Sequence, residues 1–214
     1  MAGLKRRGGN GDGGNDKKNI VCENLEEGRE YESRLVYVAD LGLHENSYKG
    51  EEKPDVQKIA LGFEVLGETV EIDGDIVPRL LWGKPFNIYW KMTPNGIELV
   101  NYKVFDPSAK EGEVADWEKV LGTPVNLTIV HVADKKDKSI KYDNIASVVP
   151  IPKKYQKDIG KATLTPCVGD ADDENNDATR SLYGLTKWFF DRRIVEGGDS
   201  SEPVVEVDEG SIPF

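Results

Sequence analysis

Between Val56 and Gly67 the sequence VQKIALGFEVLG sets Ile59, Leu61, Phe63 and Val65 alternately with Lys58, Ala60, Gly62 and Glu64. Successive side chains of an extended chain point to opposite faces, so a period of two demands a strand with one apolar face. The other face carries small or polar side chains, which predicts that something other than the main core lies on it. Such a strand needs partners, and the flanking segments supply them. YESRLVYVADLGL, from Tyr31, is rich in β-branched and aromatic residues and reads as the preceding strand, with HENSYKGEEKPD as a long loop. EIDGDIV places Asp73-Gly74 between strand formers, as a two-residue hairpin turn requires. A strand through PRLLWGKPFNIYWKM follows, where Gly83 and Pro85 mark a bulge, an edge or a bend, and NYKVF extends or pairs with it.

SAKEGEVADWEKVLG changes period. Ser108 can cap, Val114, Trp117 and Leu121 fall at i, i+3 and i+7, and Gly122 can stop a helix. PVNLTIVHVAD and SIKYDNIASVVPI then read as two strands joined by KKDK. The expected fold is therefore mainly β. A five-stranded barrel with a helix between its third and fourth strands is the oligonucleotide/oligosaccharide-binding (OB) arrangement, and a β-sandwich with a lone crossover helix is its rival. After Pro152 come a polar insert, GDADDENND, and an aromatic helix from about Ser181. Its Leu182, Leu185, Trp188 and Phe189 share a stripe expected to pack on the barrel. Four regions result: a Gly-rich tail at 1–19, the barrel at 20–152, a helical extension at 153–195 and a second tail at 196–214.

The tails carry opposite charge. Lys5, Arg6, Arg7, Lys17 and Lys18 against Asp12 and Asp16 make the first +3, whereas the second has six acids and no Lys or Arg, hence −6. Both compositions predict disorder. With the tails removed from the −11 of the whole chain, the body keeps −8, which counts against a large, uniformly basic surface. No apolar run approaches the roughly 18 residues of a membrane span, and the first 19 residues lack the apolar stretch of a secretory signal. The GGNGDGG run is not followed by Gly-Lys-Ser/Thr, so a phosphate-binding loop is excluded. Two cysteines, Cys22 and Cys167, and two histidines, His44 and His131, are too few and too scattered for a structural zinc site. They read as incidental thiols and non-catalytic rings, and no cofactor or metal is expected.

The chain ends Asp208-Glu209-Gly210-Ser211-Ile212-Pro213-Phe214. An acidic tail closing on Ile-Pro-Phe resembles the C-terminal tip of bacterial single-stranded DNA-binding proteins, and phage members similarly end in Phe. RLVYVADLGLHENSYKGEEKPDVQKIALGFEVL resembles the opening of the OB domain in a family of bacteriophage single-stranded DNA-binding proteins, and LTKWFFDRRIVEG resembles the helix after its barrel. Gly210 and Ser211 interrupt the acids, a departure from the pattern. The resemblance implies a non-enzymatic protein of the infected bacterial host's cytoplasm. It would coat single-stranded DNA in replication, recombination and repair. Asp208, Glu209, Ile212, Pro213 and Phe214 would recruit replication or recombination proteins such as a polymerase, helicase, primase or nuclease. A free carboxylate and a phenyl ring suit a basic-rimmed apolar pocket on such a partner.

Single strands are held by aromatic faces and a cationic groove. In FNIYWK the alternation puts Tyr89 and Lys91 on one face, the expected stacking platform, and assigns Trp90 to the core. Tyr48, Lys49 and Lys53 suit a mobile clamp in the long loop. Arg34, Lys58, Lys84 and Lys103 are candidate phosphate contacts, and Trp82 and Tyr102 are further aromatic candidates. Two other classes remain open on sequence grounds: a metal-dependent nuclease using Glu64, Glu71, Asp73 and Asp75, and a β-rich virion or assembly protein.

Overall fold

The computed structural model describes residues 5–7 and 19–195. Its strands are β1 (Lys5–Arg7), β2 (Asn19–Val21), β3 (Glu30–Tyr48), β4 (Glu51–Ile72), β5 (Asp75–Trp82), β6 (Phe86–Ile88), β7 (Pro124–Ala133), β8 (Lys141–Pro150) and β9 (Cys167–Gly169). Four helices, α1 (Ile97–Phe105), α2 (Trp117–Val120), α3 (Asp177–Arg180) and α4 (Gly184–Asp191), complete the described chain. The chain is mainly β. Hydrogen bonding runs in the order β1-β2-β4-β3-β7-β8, with β5 and β6 also on β4 and β9 on β3. All pairings are antiparallel except β3 with β9. The sheet is an open path, and its described strands do not close into a barrel.

The alternation of β4 separates two cores. Leu35, Ile59, Leu61, Phe63, Val65 and Leu81 point to one side, where α1, α2 and the inner face of β7 meet them. On the other side Val36, Ala39, Leu41 and Ala60 meet Ala171, Ala178, Leu182 and Phe190 of the C-terminal extension. The small face predicted to carry something other than the main core thus carries the chain's own C-terminal extension.

Four local expectations are overturned. HENSYKGEEKPD is no loop: β3 runs on to Tyr48 and turns through Lys49 (φ 54°) and Gly50 (φ 79°) directly into β4. Two successive positive φ values make the tight turn whose twist matches a hairpin, so the segment forms a long two-stranded arm. The turn at Asp73-Gly74 uses the same device, as its sequence predicts.

The helix expected over 108–122 is confined to Trp117–Val120, capped by Asp116, whose carboxylate accepts from the Lys119 amide. Gly112 adopts φ 78° and donates to the Met92 carbonyl, while the Met92 amide donates to the Glu113 carbonyl, which breaks the run, and Ser108 turns back to Asp106 instead of capping. The main helix instead takes NYKVF, expected as strand, because Leu99 and Tyr102 at i and i+3 reach the core.

In the extension the buried stripe is Leu182, Thr186 and Phe190, an i, i+4, i+8 line rotated from the one expected. Residues 181–183 separate α3 from α4, which opens on Gly184 at φ 56°.

Candidate nucleic-acid interface

The segment after β6 emerges near the root of the arm. β6 pairs with β4 through Gln57↔Ile88, so the chain leaves the sheet at Tyr89, beside the root of the arm. Tyr89 is 50% exposed and Trp90 84% exposed, with Lys84 and Lys91 exposed on either side. Trp90 is therefore not a core residue: the strand alternation ends at Ile88, and the indole projects outward from an irregular turn. Lys84, Phe86, Tyr89 and Ile97 line an open groove of about 510 Å³. The Tyr89 amide donates to Glu98 Oε2 at 3.3 Å. Burial raises the Glu98 carboxyl above its ordinary range, an effect this hydrogen bond partly offsets. On the arm, Lys49 lies in the turn and Lys53 pairs with Glu51 at 2.8 Å. Tyr48 ends β3 opposite Glu51.

The remaining sequence candidates lie elsewhere. Tyr102 is 4% exposed, edge-on to Trp117 at 5.1 Å, with its hydroxyl donating to the Asp116 carbonyl at 3.0 Å; it is a core residue and no stacking platform. Trp82 stacks on Tyr37 and donates to the Ser181 carbonyl at 3.0 Å, beneath the extension. Lys58 reaches Asn87 Oδ1 at 2.6 Å and stands 5.2 Å from the Phe189 ring centre. Arg34 donates to the carbonyls of Gly122, Ile159 and Gly160 at 2.5, 3.1 and 2.6 Å. Its guanidinium fixes backbone. Lys103 is exposed in the last turn of α1. Asp208, Glu209, Ile212, Pro213 and Phe214 lie outside the described residues.

Of the carboxylates weighed for a nuclease, the fold sets Glu64 apart from the other three. Glu64 is buried and accepts from the amides of Thr163 and Leu164 at 2.8–2.9 Å, while Glu71, Asp73 and Asp75 lie on the β4–β5 hairpin, Asp73 within its turn. Among the described residues no group of three or more His, Cys, Asp or Glu side chains could hold a metal ion. His131 is a half-buried structural ring, with Nε2 2.8 Å from the Leu25 carbonyl and 3.4 Å from Asp143. No described helix is long and apolar enough to cross a membrane.

Two cationic segments escaped the sequence reading. Lys135, Lys136 and Lys138 are exposed in the β7–β8 loop, and Lys153, Lys154, Lys157 and Lys161 are exposed just after β8. The signal was present in KKDK and KKYQKDIGK, both of which have the interleaved lysines of an anion-binding surface. Comparison with known proteins found no matching family model, curated protein or solved structure.

Proposed function

We propose that this chain binds single-stranded DNA, coats and protects it during phage replication, recombination and repair, and uses its acidic C-terminal tip to recruit replication proteins. The observation that carries the reading is the exposed Tyr89-Trp90-Lys91 strip at the root of a lysine-bearing β-arm. Two unsheltered rings beside cations are what a single strand requires, since every base has a face to stack and every nucleotide a phosphate to neutralise. A body of −8 is no obstacle. Beyond a Debye length of about 8 Å its repulsion is screened, and within that distance the local lining decides.

Strand order supports the same reading. β3 pairs with both β4 and β7, β7 pairs with β8, and a helix stands between the third and fourth long strands, an opened version of the OB order. OB domains use the face of their second and third strands together with the first and last hairpin loops. Here the extension occupies part of that face, so the strand runs along the arm, the Tyr89–Lys91 strip and the lysines of the β7–β8 loop. The setting proposed is the cytoplasm of the bacterial host, with no cofactor and no catalytic step.

The test is fluorescence anisotropy of labelled oligo(dT) and of matched duplex at low and high salt, with the full chain and with a chain ending at Val195. Preferential binding of the single strand, weakened by salt, is expected of both. Absence of oligo(dT) binding by either protein overturns the reading.

A further inference from the structure

Residues 153–161, KKYQKDIGK, carry four lysines against one acid, a net +3 inside a body of −8. Six cations elsewhere, Arg29, Lys53, Arg79, Lys119, Lys187 and Arg193, each stand in an ion pair. Lys153, Lys154, Lys157 and Lys161 are exposed, and among the described residues none of them has an acidic partner within ion-pair distance. Four like charges held together around a single acid are an unfavourable arrangement that an anion relieves.

The segment is also held in place. Ile151 is buried at its start, and Gln156 Nε2 donates to the Ile151 carbonyl at 2.8 Å. Arg34 grips the carbonyls of Ile159 and Gly160, and Glu64 receives the amides of Thr163 and Leu164. Arg34 and Glu64 are themselves register partners across β3 and β4, so both anchors rise from one point of the sheet. The result is a strap whose backbone is fixed while its charges face water. In its middle Tyr155 is 51% exposed, with the Lys154 ammonium 4.4 Å from the ring centre.

Resting on the function proposed above, we infer that this strap is a second contact for the single strand, in which the lysines meet phosphates and the Tyr155 ring stacks on a base. Cations interleaved with an exposed ring fit a single strand better than an acidic protein surface, which has no base to offer the ring. Preorganisation lowers the ordering cost of the contact. Along β4, Glu64 under the strap and Gln57 beside Ile88 are seven residues apart, roughly 23 Å at ~3.3 Å per residue, a span compatible with a site of about 4–16 nucleotides.

The experiment compares wild-type chain, the triple variant Lys153→Ala/Lys154→Ala/Lys157→Ala, Tyr155→Leu and Tyr155→Phe in oligo(dT) titrations across a salt series. Each phosphate contact on a single strand contributes about 0.7 to the slope of log affinity against log salt, so the triple variant should flatten it by about two. Tyr155→Leu, which leaves the charge unchanged, should weaken binding about fivefold or more, and Tyr155→Phe should bind as wild type. All the substituted side chains are exposed, and an unchanged thermal midpoint confirms folding. A triple variant with wild-type slope and a Tyr155→Leu variant with wild-type affinity overturn the strap while the Trp90 surface stands. Wild-type protein that binds no oligo(dT) overturns both.

Discussion

Gly62 and Trp82 face each other across β4 and β5, and a Cβ on residue 62 would come within 3.1 Å of two indole carbons and of the Tyr37 Cβ. The absence of a side chain at 62 is therefore what lets the indole lie flat on the sheet, stack on Tyr37 and reach the Ser181 carbonyl. Through that bond the smallest residue of the strand positions the C-terminal extension. Gly62→Ala should destabilise the protein by about 1–3 kcal/mol through overpacking, read as a lower denaturant midpoint with unchanged slope. A midpoint equal to wild type would show that the indole can retreat freely.

Trp90 offers the opposite test, because it contributes surface and almost no packing. Trp90→Ala should leave the unfolding midpoint within about 0.5 kcal/mol of wild type. The same change should weaken oligo(dT) binding by about tenfold, the equivalent of one lost stack of roughly 1–3 kcal/mol. Anisotropy and thermal unfolding on the same preparation separate the two effects. Undiminished affinity would remove the indole from the binding surface.

Much of the sheet was readable because its signals are local. The alternation at Ile59–Val65 and the Asp73-Gly74 turn each depend on neighbours in the chain, and both appear where expected. The arm was not readable, since a ribbon built mostly of polar residues has no apolar alternation to report and its turn uses a lysine at positive φ. The helix expected over 108–122 runs through Gly112, whose left-handed conformation no local pattern reports. The alternation of Phe86–Ile88 would carry Trp90 inward only if the strand continued, and it ends at Ile88. The site was less legible for a further reason: whether a cation is free or engaged depends on distant partners. Arg34 finds Ile159 at a separation of 125 residues, and no pattern around Arg34 announces that.

That long-range anchor yields a prediction of its own. Arg34 uses three nitrogens on three carbonyls, a geometry an ammonium cannot reproduce. Arg34→Lys should cost about 1–3 kcal/mol of stability. It should also loosen the 153–161 strap, so that trypsin cuts at Lys153–Lys161 faster than in wild type while the sheet survives. Cleavage at the wild-type rate would mean that Glu64 and Gln156 suffice to hold the segment.

Glu98 gives a pH-dependent test. Its carboxyl is raised above the ordinary value of 4.5, chiefly by burial, with the Tyr89 amide bond partly opposing. The fold thus favours the protonated form. The stability this group contributes is fully present below the ordinary value and is lost as pH rises through the elevated one, leaving a buried negative charge as a standing cost at neutrality. Glu98→Gln keeps an oxygen for the Tyr89 amide and discards the charge. The variant should therefore be more stable than wild type at pH 7, and its advantage should shrink as pH falls through the carboxylate range and vanish near pH 4. Denaturant midpoints at the two pH values provide the comparison, and because Tyr89 stays anchored, oligo(dT) affinity should not change. A variant less stable than wild type at pH 7 would mean that the carboxylate's hydrogen bond outweighs its desolvation.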